Sequence, residues 1–268
     1  MTKQRIPPFT VHFHLPDGAE ILNTSDGEWS DRTVNYDADC LTVWNKNTEF
    51  LRDPRFVAAY ESGMSSGHKL GRAAGSDVGV DIQWRVHVAC WAGWHARQLE
   101  GDFVECGVNT GIFSLAICNY IDLNATGKTF YLFDTFCGIP SEQIAPEERA
   151  LGREEESAEF YEECYELAKR NFARFPRAKL IRGRVPDSLN EVTIEKVCYL
   201  SIDMNIAAPE LAALEHFWDG LVPGAIVLLD DYGWLAYANQ KRALDSFAAR
   251  RGVEILTLPT GQGLLLKP

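Results

Sequence analysis

The sequence predicts an α/β protein: a doubly wound, mostly parallel seven-stranded sheet preceded by an N-terminal extension of helices and loops. Three observations carry this expectation. From about Asp102 onward, short β-rich runs alternate with longer helical patterns. A glycine-containing loop, Glu105-Cys106-Gly107-Val108-Asn109-Thr110-Gly111, joins the first of those strands to its helix. Two final apolar runs, Val253 to Leu258 and Gly263 to Lys267, flank Pro259-Thr260-Gly261 and read as a hairpin closing one sheet edge. The division that follows is residues 1–80 as the extension and 81–268 as the sheet-bearing domain.

The expected strands are Asp102 to Cys106, Thr129 to Asp134, Lys179 to Arg182, Val197 to Asp203 and Ala225 to Asp230. Between them lie helical patterns at Ile112 to Leu123, Glu154 to Phe175, Pro209 to Leu221 and Trp234 to Arg251. The stretch Gly138 to Arg153, with Pro140 and Pro146, reads as flexible. The acidic run Glu154 to Glu156 favours a helix start through the helix dipole and needs no functional explanation.

The extension is loop-like to Asn45. An amphipathic helix is then expected over Asn47 to Tyr60, carrying Phe50, Leu51, Phe56, Val57 and Tyr60, and a second over Asp81 to Leu99. In the second, Trp84, Val88 and Trp91 fall at i, i+4 and i+7, the spacing of a core-facing stripe. Glycines recur at Gly63, Gly67, Gly71, Gly75 and Gly79, and a helix would lose about 1 kcal/mol at each relative to alanine. A mobile loop is therefore expected, either a lid over a site or a plain linker.

Composition excludes several function classes. The chain has 268 residues and a net charge of −12, which repels phosphate backbones and anionic lipid, so neither nucleic acid nor membrane is an expected partner. The apolar stretches fall short of the roughly 18 residues that a membrane span needs. Met1 to Phe9 lacks a signal-peptide core, so a cytoplasmic location is expected. The seven cysteines form no CxxC pair and read as reduced core residues.

In open α/β sheets, ligands bind beyond the carboxyl ends of the strands. After the first strand, Gly107 permits a tight turn and Gly111 a close approach of the helix start; the spacing G-x-x-x-G is not the G-x-G-x-x-G of dinucleotide binding. The second strand ends in Asp134, a carboxylate suited either to a ribose diol or to capping a turn. The third is followed by Gly183-Arg184-Val185, whose amides and apolar side chain suit a base. The fourth and fifth end in Asp203 and in Asp230-Asp231. Three carboxylates converging there repel one another unless a hard divalent cation, most simply Mg²⁺, neutralises them; the competing role for each is a helix cap.

Three segments carry a resemblance: Val104-Glu105-Cys106-Gly107-Val108, Asp134-Thr135-Phe136-Cys137-Gly138-Ile139-Pro140 and Leu228-Leu229-Asp230-Asp231-Tyr232. Over residues 80–268 the chain resembles the macrocin O-methyltransferase family, class I (Rossmann-like) S-adenosylmethionine-dependent enzymes best known for methylating sugar hydroxyls on natural products. The resemblance implies S-adenosylmethionine lying over Gly107 with its ribose on Asp134. The cofactor-binding set is then Glu105, Gly107, Asn109, Gly111, Asp134, Thr135, Gly183, Arg184 and Val185. It also implies Mg²⁺ or Mn²⁺ held by Asp203, Asp230 and Asp231.

The catalytic base departs from the family pattern. Some relatives carry a second aspartate two residues after the first metal ligand; here Asn205 stands there and cannot accept a proton at neutral pH. A catechol-type lysine is replaced by Ile206, and no histidine stands in the loop after Pro140. Asp203 itself and His68 of the glycine-rich segment are the candidates. A nicotinamide-dependent oxidoreductase is the alternative enzyme class, opposed by the glycine spacing, and a non-catalytic S-adenosylmethionine-binding module is the alternative outside enzymes. A homodimer is expected, with Trp29, Tyr36 and Trp44 as exposed aromatic candidates in the extension.

Overall fold

A computed structural model describes residues 10–14, 20–24, 34–68 and 81–268. By packing, the chain divides into two units, residues 1–48 and 49–268. The first contains two antiparallel hairpins, β1 (Thr10–His14) with β2 (Glu20–Thr24) and β3 (Val34–Ala38) with β4 (Leu41–Trp44), where the sequence suggested only loops. Tyr36 is buried rather than exposed, and Trp44 is half-buried. Trp29, Gly71, Gly75 and Gly79 lie outside the described residues.

The second unit begins with a 3-10 turn over Glu49–Arg52 and helix α1 (Pro54–Met64). The single helix expected over Asn47 to Tyr60 is split because Pro54, which lacks an N–H, suits a first helical position and not an interior one. Asp53 caps the new start, its Oδ1 accepting the Arg55 amide at 2.9 Å. Gly63 is inside this helix, not in a loop. A Cβ there would stand 2.4 Å from the carbonyl oxygen of Ile112, so the glycine allows α1 to press onto the next layer. That packing ties α1 to the larger unit.

Helix α2 (Gln83–Ala96) buries Val86, Ala89, Cys90, Ala92, Gly93 and Ala96. The expected core stripe holds only in part: Val88 packs against the core and Trp84 against Phe50, both half-buried, whereas Trp91 is 50% exposed. The reason is close approach, since a Cβ on Gly93 would meet Ile117 at 2.8 Å; only small residues fit the contact.

The sheet-bearing segments follow in order: β5 (Asp102–Cys106), α3 (Ile112–Tyr120), α4 (Leu123–Thr126), β6 (Phe130–Asp134), α5 (Pro146–Ala150), α6 (Arg153–Phe160), α7 (Tyr165–Phe172), β7 (Ala178–Arg182), β8 (Val197–Ile202), α8 (Ala207–Phe217), β9 (Leu221–Leu229), α9 (Ala238–Arg251), β10 (Leu256–Thr257) and β11 (Gly263–Leu266). The seven strands lie in the order β10-β11-β9-β8-β5-β6-β7. β9, β8, β5, β6 and β7 are parallel, and the terminal hairpin adds two antiparallel strands, as the sequence predicts. Two sequence expectations fail. The helix over Glu154 to Phe175 is two helices broken at Tyr161–Cys164, and the stretch Gly138 to Arg153 holds α5 with a buried Glu148.

Strand residues alternate between two cores. Phe103, Leu132, Ile226 and Leu228 face the α1–α3 side, whereas Val104, Phe133, Leu200, Val227 and Leu229 meet Phe217, Leu244 and Phe247 of α8 and α9. The chain leaves β5 for β6 and β7 on one side and returns for β8 and β9 on the other, so the order reverses between β5 and β8. The crevice that opens at this switch point is the place where such sheets bind ligands. Five cysteines are buried, and Cys40 and Cys137 are exposed; among the described residues none is in a disulfide.

Candidate active site

The crevice is walled by Glu105, Gly107, Asn109, Asp134, Thr135, Gly183, Val185, Asp203, Asp230, Asp231 and His68, drawn from five strand ends and the segment after α1. Of the residues singled out in the sequence, Gly111 and Arg184 are not in its lining. Gly111 (φ +101°) starts α3, where a Cβ would strike the Phe172 ring at 2.6 Å. The Arg184 side chain is on the surface, donating to Asp187 and Glu142 at 2.7 Å each.

Gly107 sits where the loop after β5 crosses the end of β8. Its φ is +90°, and a Cβ would lie 1.7 Å from the Asp203 carbonyl oxygen, so no other residue fits without displacing the chain. Asp134 organises the same loop from β6. Its Oδ2 accepts the amides of Val108 at 2.5 Å and Asn109 at 2.7 Å, and its Oδ1 accepts that of Phe136 at 2.5 Å. Glu105 lies at the floor with Oε2 buried and unpartnered, and burial pushes its carboxyl up to about 8.

Asp203, Asp230 and Asp231 come together because β8 and β9 are parallel neighbours with Ile202 opposite Leu229. One oxygen from each lies within 4.8 Å of the others. Asp230 Oδ2 accepts Arg85 Nη1 at 2.5 Å and its Oδ1 accepts Gln262 Nε2 at 3.0 Å. Asp231 Oδ2 is buried with no hydrogen-bond donor. Burial first, and the neighbouring carboxylates second, hold Asp203 and Asp231 well above the ordinary aspartate range, with Arg85 opposing.

The loop after β8 is held from beneath. Glu210 Oε1 accepts the amides of Met204 at 3.0 Å and Asn205 at 3.1 Å and the Gln240 side chain at 2.8 Å, and Glu148 accepts the Ala207 amide at 2.7 Å. Asn205 is left-handed (φ +63°) and its Oδ1 accepts the Tyr237 hydroxyl at 3.1 Å. Arg153 stacks on Tyr237 at 3.8 Å and bridges to Glu156. His68 lies on the Asn109–Asp134 side of the crevice. Burial lowers its pKa, and the Asn109 hydrogen bond and the Asp134 charge counter this only in part.

Sequence reasoning missed Arg85, Gln262, Glu210, Glu148 and Tyr237. Only Glu148 carried a local signal, a glutamate at the third helical position after Ala145-Pro146; its Oε2 accepts the Ala145 amide at 2.9 Å.

The model of the macrocin O-methyltransferase (TylF) family matches residues 32–257. The chain belongs to this family. It is an S-adenosylmethionine-dependent O-methyltransferase, and the nicotinamide alternative is set aside. No curated protein matches the chain. Among solved structures, the O-methyltransferase NovP is similar at 17% identity and TM-score 0.66, covering 79% of this chain and 97% of that one. The calicheamicin methyltransferase CalS11 matches at 15% identity and TM-score 0.50, over 83% and 98% of the two chains. A protein from Corynebacterium glutamicum matches at 14% identity and TM-score 0.50, over 82% and 94%. At these identities the likeness is one of fold. Among the described residues no helix is long and apolar enough to cross a membrane.

Proposed function

We propose that this chain transfers the methyl group of S-adenosylmethionine to a hydroxyl of a sugar or glycosylated natural product, with Mg²⁺ or Mn²⁺ held by Asp203, Asp230 and Asp231. The observation that carries the reading is the convergence of these three carboxylates within 4.8 Å in the crevice, beside the Gly107 loop. The donor set fits a hard cation: all oxygen, all carboxylate, with the buried Asp231 Oδ2 lacking a donor from the protein. Such a cation, when bound, lowers the pKa of a coordinated hydroxyl and fixes its orientation.

The chain's own residues supply the rest. Asp134, by fixing the Val108 and Asn109 amides, shapes the floor under the cofactor and leaves carboxylate lone pairs for a ribose diol. Asp203 is the proposed proton acceptor, a carboxylate that lines the crevice within the cluster. Asn205, Tyr237 and Glu156 line the acceptor side with polar groups suited to a polyhydroxyl ligand. His68, whose uncharged form is favoured by burial, is the second base candidate. Its side chain forms part of the crevice wall. Holding acceptor and cofactor in line converts a bimolecular displacement into a unimolecular one. The acceptor class rests on the family's known sugar hydroxyls. A homodimer belongs to the same reading, supported by the half-exposed Trp91 on α2, and light scattering at monomer mass would remove it.

The test is formation of S-adenosylhomocysteine with a panel of glycosylated macrolides, before and after chelation. Turnover that is lost on chelation and restored by Mg²⁺ is expected; full turnover after exhaustive chelation would return the three aspartates to a capping role.

A further inference from the structure

Arg85 stands in the first turn of α2, 145 residues from the aspartate it binds. Its Nη1 lies 2.5 Å from Asp230 Oδ2, and the two side chains are only 15% and 6% exposed. Among the described residues it is the one cation that hydrogen-bonds to any of the three clustered aspartates. Gln262 holds both ends of the pair, donating to Asp230 Oδ1 at 3.0 Å and to the Arg85 carbonyl at 3.4 Å. The backbone of Arg85 is thereby fixed beside the cluster while its long side chain keeps rotatable bonds.

A divalent cation sits about 2.0–2.6 Å from each ligating oxygen. With Arg85 still on Oδ2, a metal on the same carboxylate would put two positive groups within a few ångström where both side chains are largely shielded from solvent, and like charges repel strongly there. The guanidinium and the metal therefore compete for Asp230. Resting on the metal reading above, we propose that Arg85 is a built-in counter-ion of the aspartate cluster. It neutralises one of the three carboxylates when no metal is bound, and it must give up Asp230 when one enters, so it sets the metal affinity of the site. Removing its charge has two opposed effects: the metal-free protein loses stability and the metal binds more tightly.

Full-length protein stripped of metal is titrated with Mn²⁺ by calorimetry in three forms: native, Arg85→Lys and Arg85→Gln. Glutamine can still donate to Asp230 but carries no charge. Arg85→Gln is expected to bind Mn²⁺ about tenfold more tightly than native, a factor equal to about 1.4 kcal/mol. Arg85→Lys stays within about threefold of native, because the charge remains. The melting temperature of Arg85→Gln should be below native without metal and rise further than native on adding Mn²⁺. Equal or weaker Mn²⁺ binding by Arg85→Gln, with native binding measurable, overturns the counter-ion role and leaves the metal reading standing. No binding by any of the three forms overturns the metal reading and this inference with it. Should Arg85→Gln not fold, the side-chain NMR signal of Arg85 in native protein, assigned through Arg85→Lys, decides. It must shift on adding Mg²⁺, and an unchanged signal at saturating Mg²⁺ overturns the proposal.

Discussion

The carboxylate of Asp134 at the end of β6 accepts the backbone amide of Asn109, in the loop after β5, at 2.7 Å. With the Val108 and Phe136 amides it forms a three-donor clamp, so one side chain fixes the loop conformation, and the proposed ribose contact would fall on this same carboxylate. Asp134→Ala should weaken S-adenosylhomocysteine binding tenfold or more, since hydrogen bonds to a charged acceptor contribute about 1.5–3 kcal/mol each. Calorimetry reads this directly, and unchanged affinity in the folded variant would separate Asp134 from the cofactor.

Gly107 and Gly127 both have positive φ, at +90° and +75°, but only Gly107 is crowded; nothing lies within 4 Å of a Cβ on Gly127. Gly107→Ala combines backbone strain with overpacking and should cost about 3 kcal/mol or more. Gly127→Ala should cost only the left-handed penalty of about 1–2 kcal/mol. Urea unfolding of both variants gives the comparison, and equal losses would mean that the Asp203 carbonyl does not enforce the glycine.

Glu105 gives the site a pH dependence. In the ligand-free protein burial raises its pKa from 4.5 to about 8, so below about pH 8 it keeps its proton. S-adenosylmethionine carries a sulfonium and an ammonium group, and a cation beside a carboxyl favours the ionised form. Binding should therefore release a proton, and affinity should rise with pH until about 8 and then level off. Calorimetry in two buffers of different ionisation enthalpy measures that proton; Glu105→Gln should abolish its release. For stability the folded pKa lies above the unfolded one, so the contribution of Glu105 is full below about pH 4.5 and is lost as pH rises through about 8. Above that pH the Glu105→Gln variant should therefore gain on the native protein.

Glu210 is a positioning residue. Buried, and pushed up to about 7 chiefly by that burial, it receives three donors on one oxygen and holds the chain from Met204 to Asn205. Glu210→Ala should lower turnover at least about tenfold while S-adenosylhomocysteine affinity stays close to native, since the Gly107 and Asp134 elements are untouched. Glu210→Gln, which keeps an acceptor oxygen, should recover most of the loss. Equal losses in both variants would point to the charge rather than to the hydrogen bonds.

The strand ends were legible in the sequence because each βα unit repeats one pattern: an apolar run, then a glycine or aspartate, then a helix. Gly107, Asp134, Asp203, Asp230 and Asp231 all stand at such ends, and the fold brings them into one crevice. The helix faces were less legible. Trp84, Val88 and Trp91 have core spacing, yet α2 turns its small residues inward because it packs too closely on Ile117 for anything larger. The break at Tyr161–Cys164 carries no proline or glycine to announce it. Arg85 and Gln262 were invisible for another reason. Their meaning lies in pairings across 145 and 32 residues that only the folded chain creates.

The most direct measurement is diffraction at the manganese edge from crystals of the native protein grown with S-adenosylhomocysteine and Mn²⁺. The expected result is one anomalous peak within about 2.5 Å of carboxylate oxygens of Asp203, Asp230 and Asp231, with the cofactor product over Gly107 and its ribose on Asp134. Cofactor density in place with no manganese at the three aspartates, at saturating Mn²⁺, would contradict the metal-assisted reading.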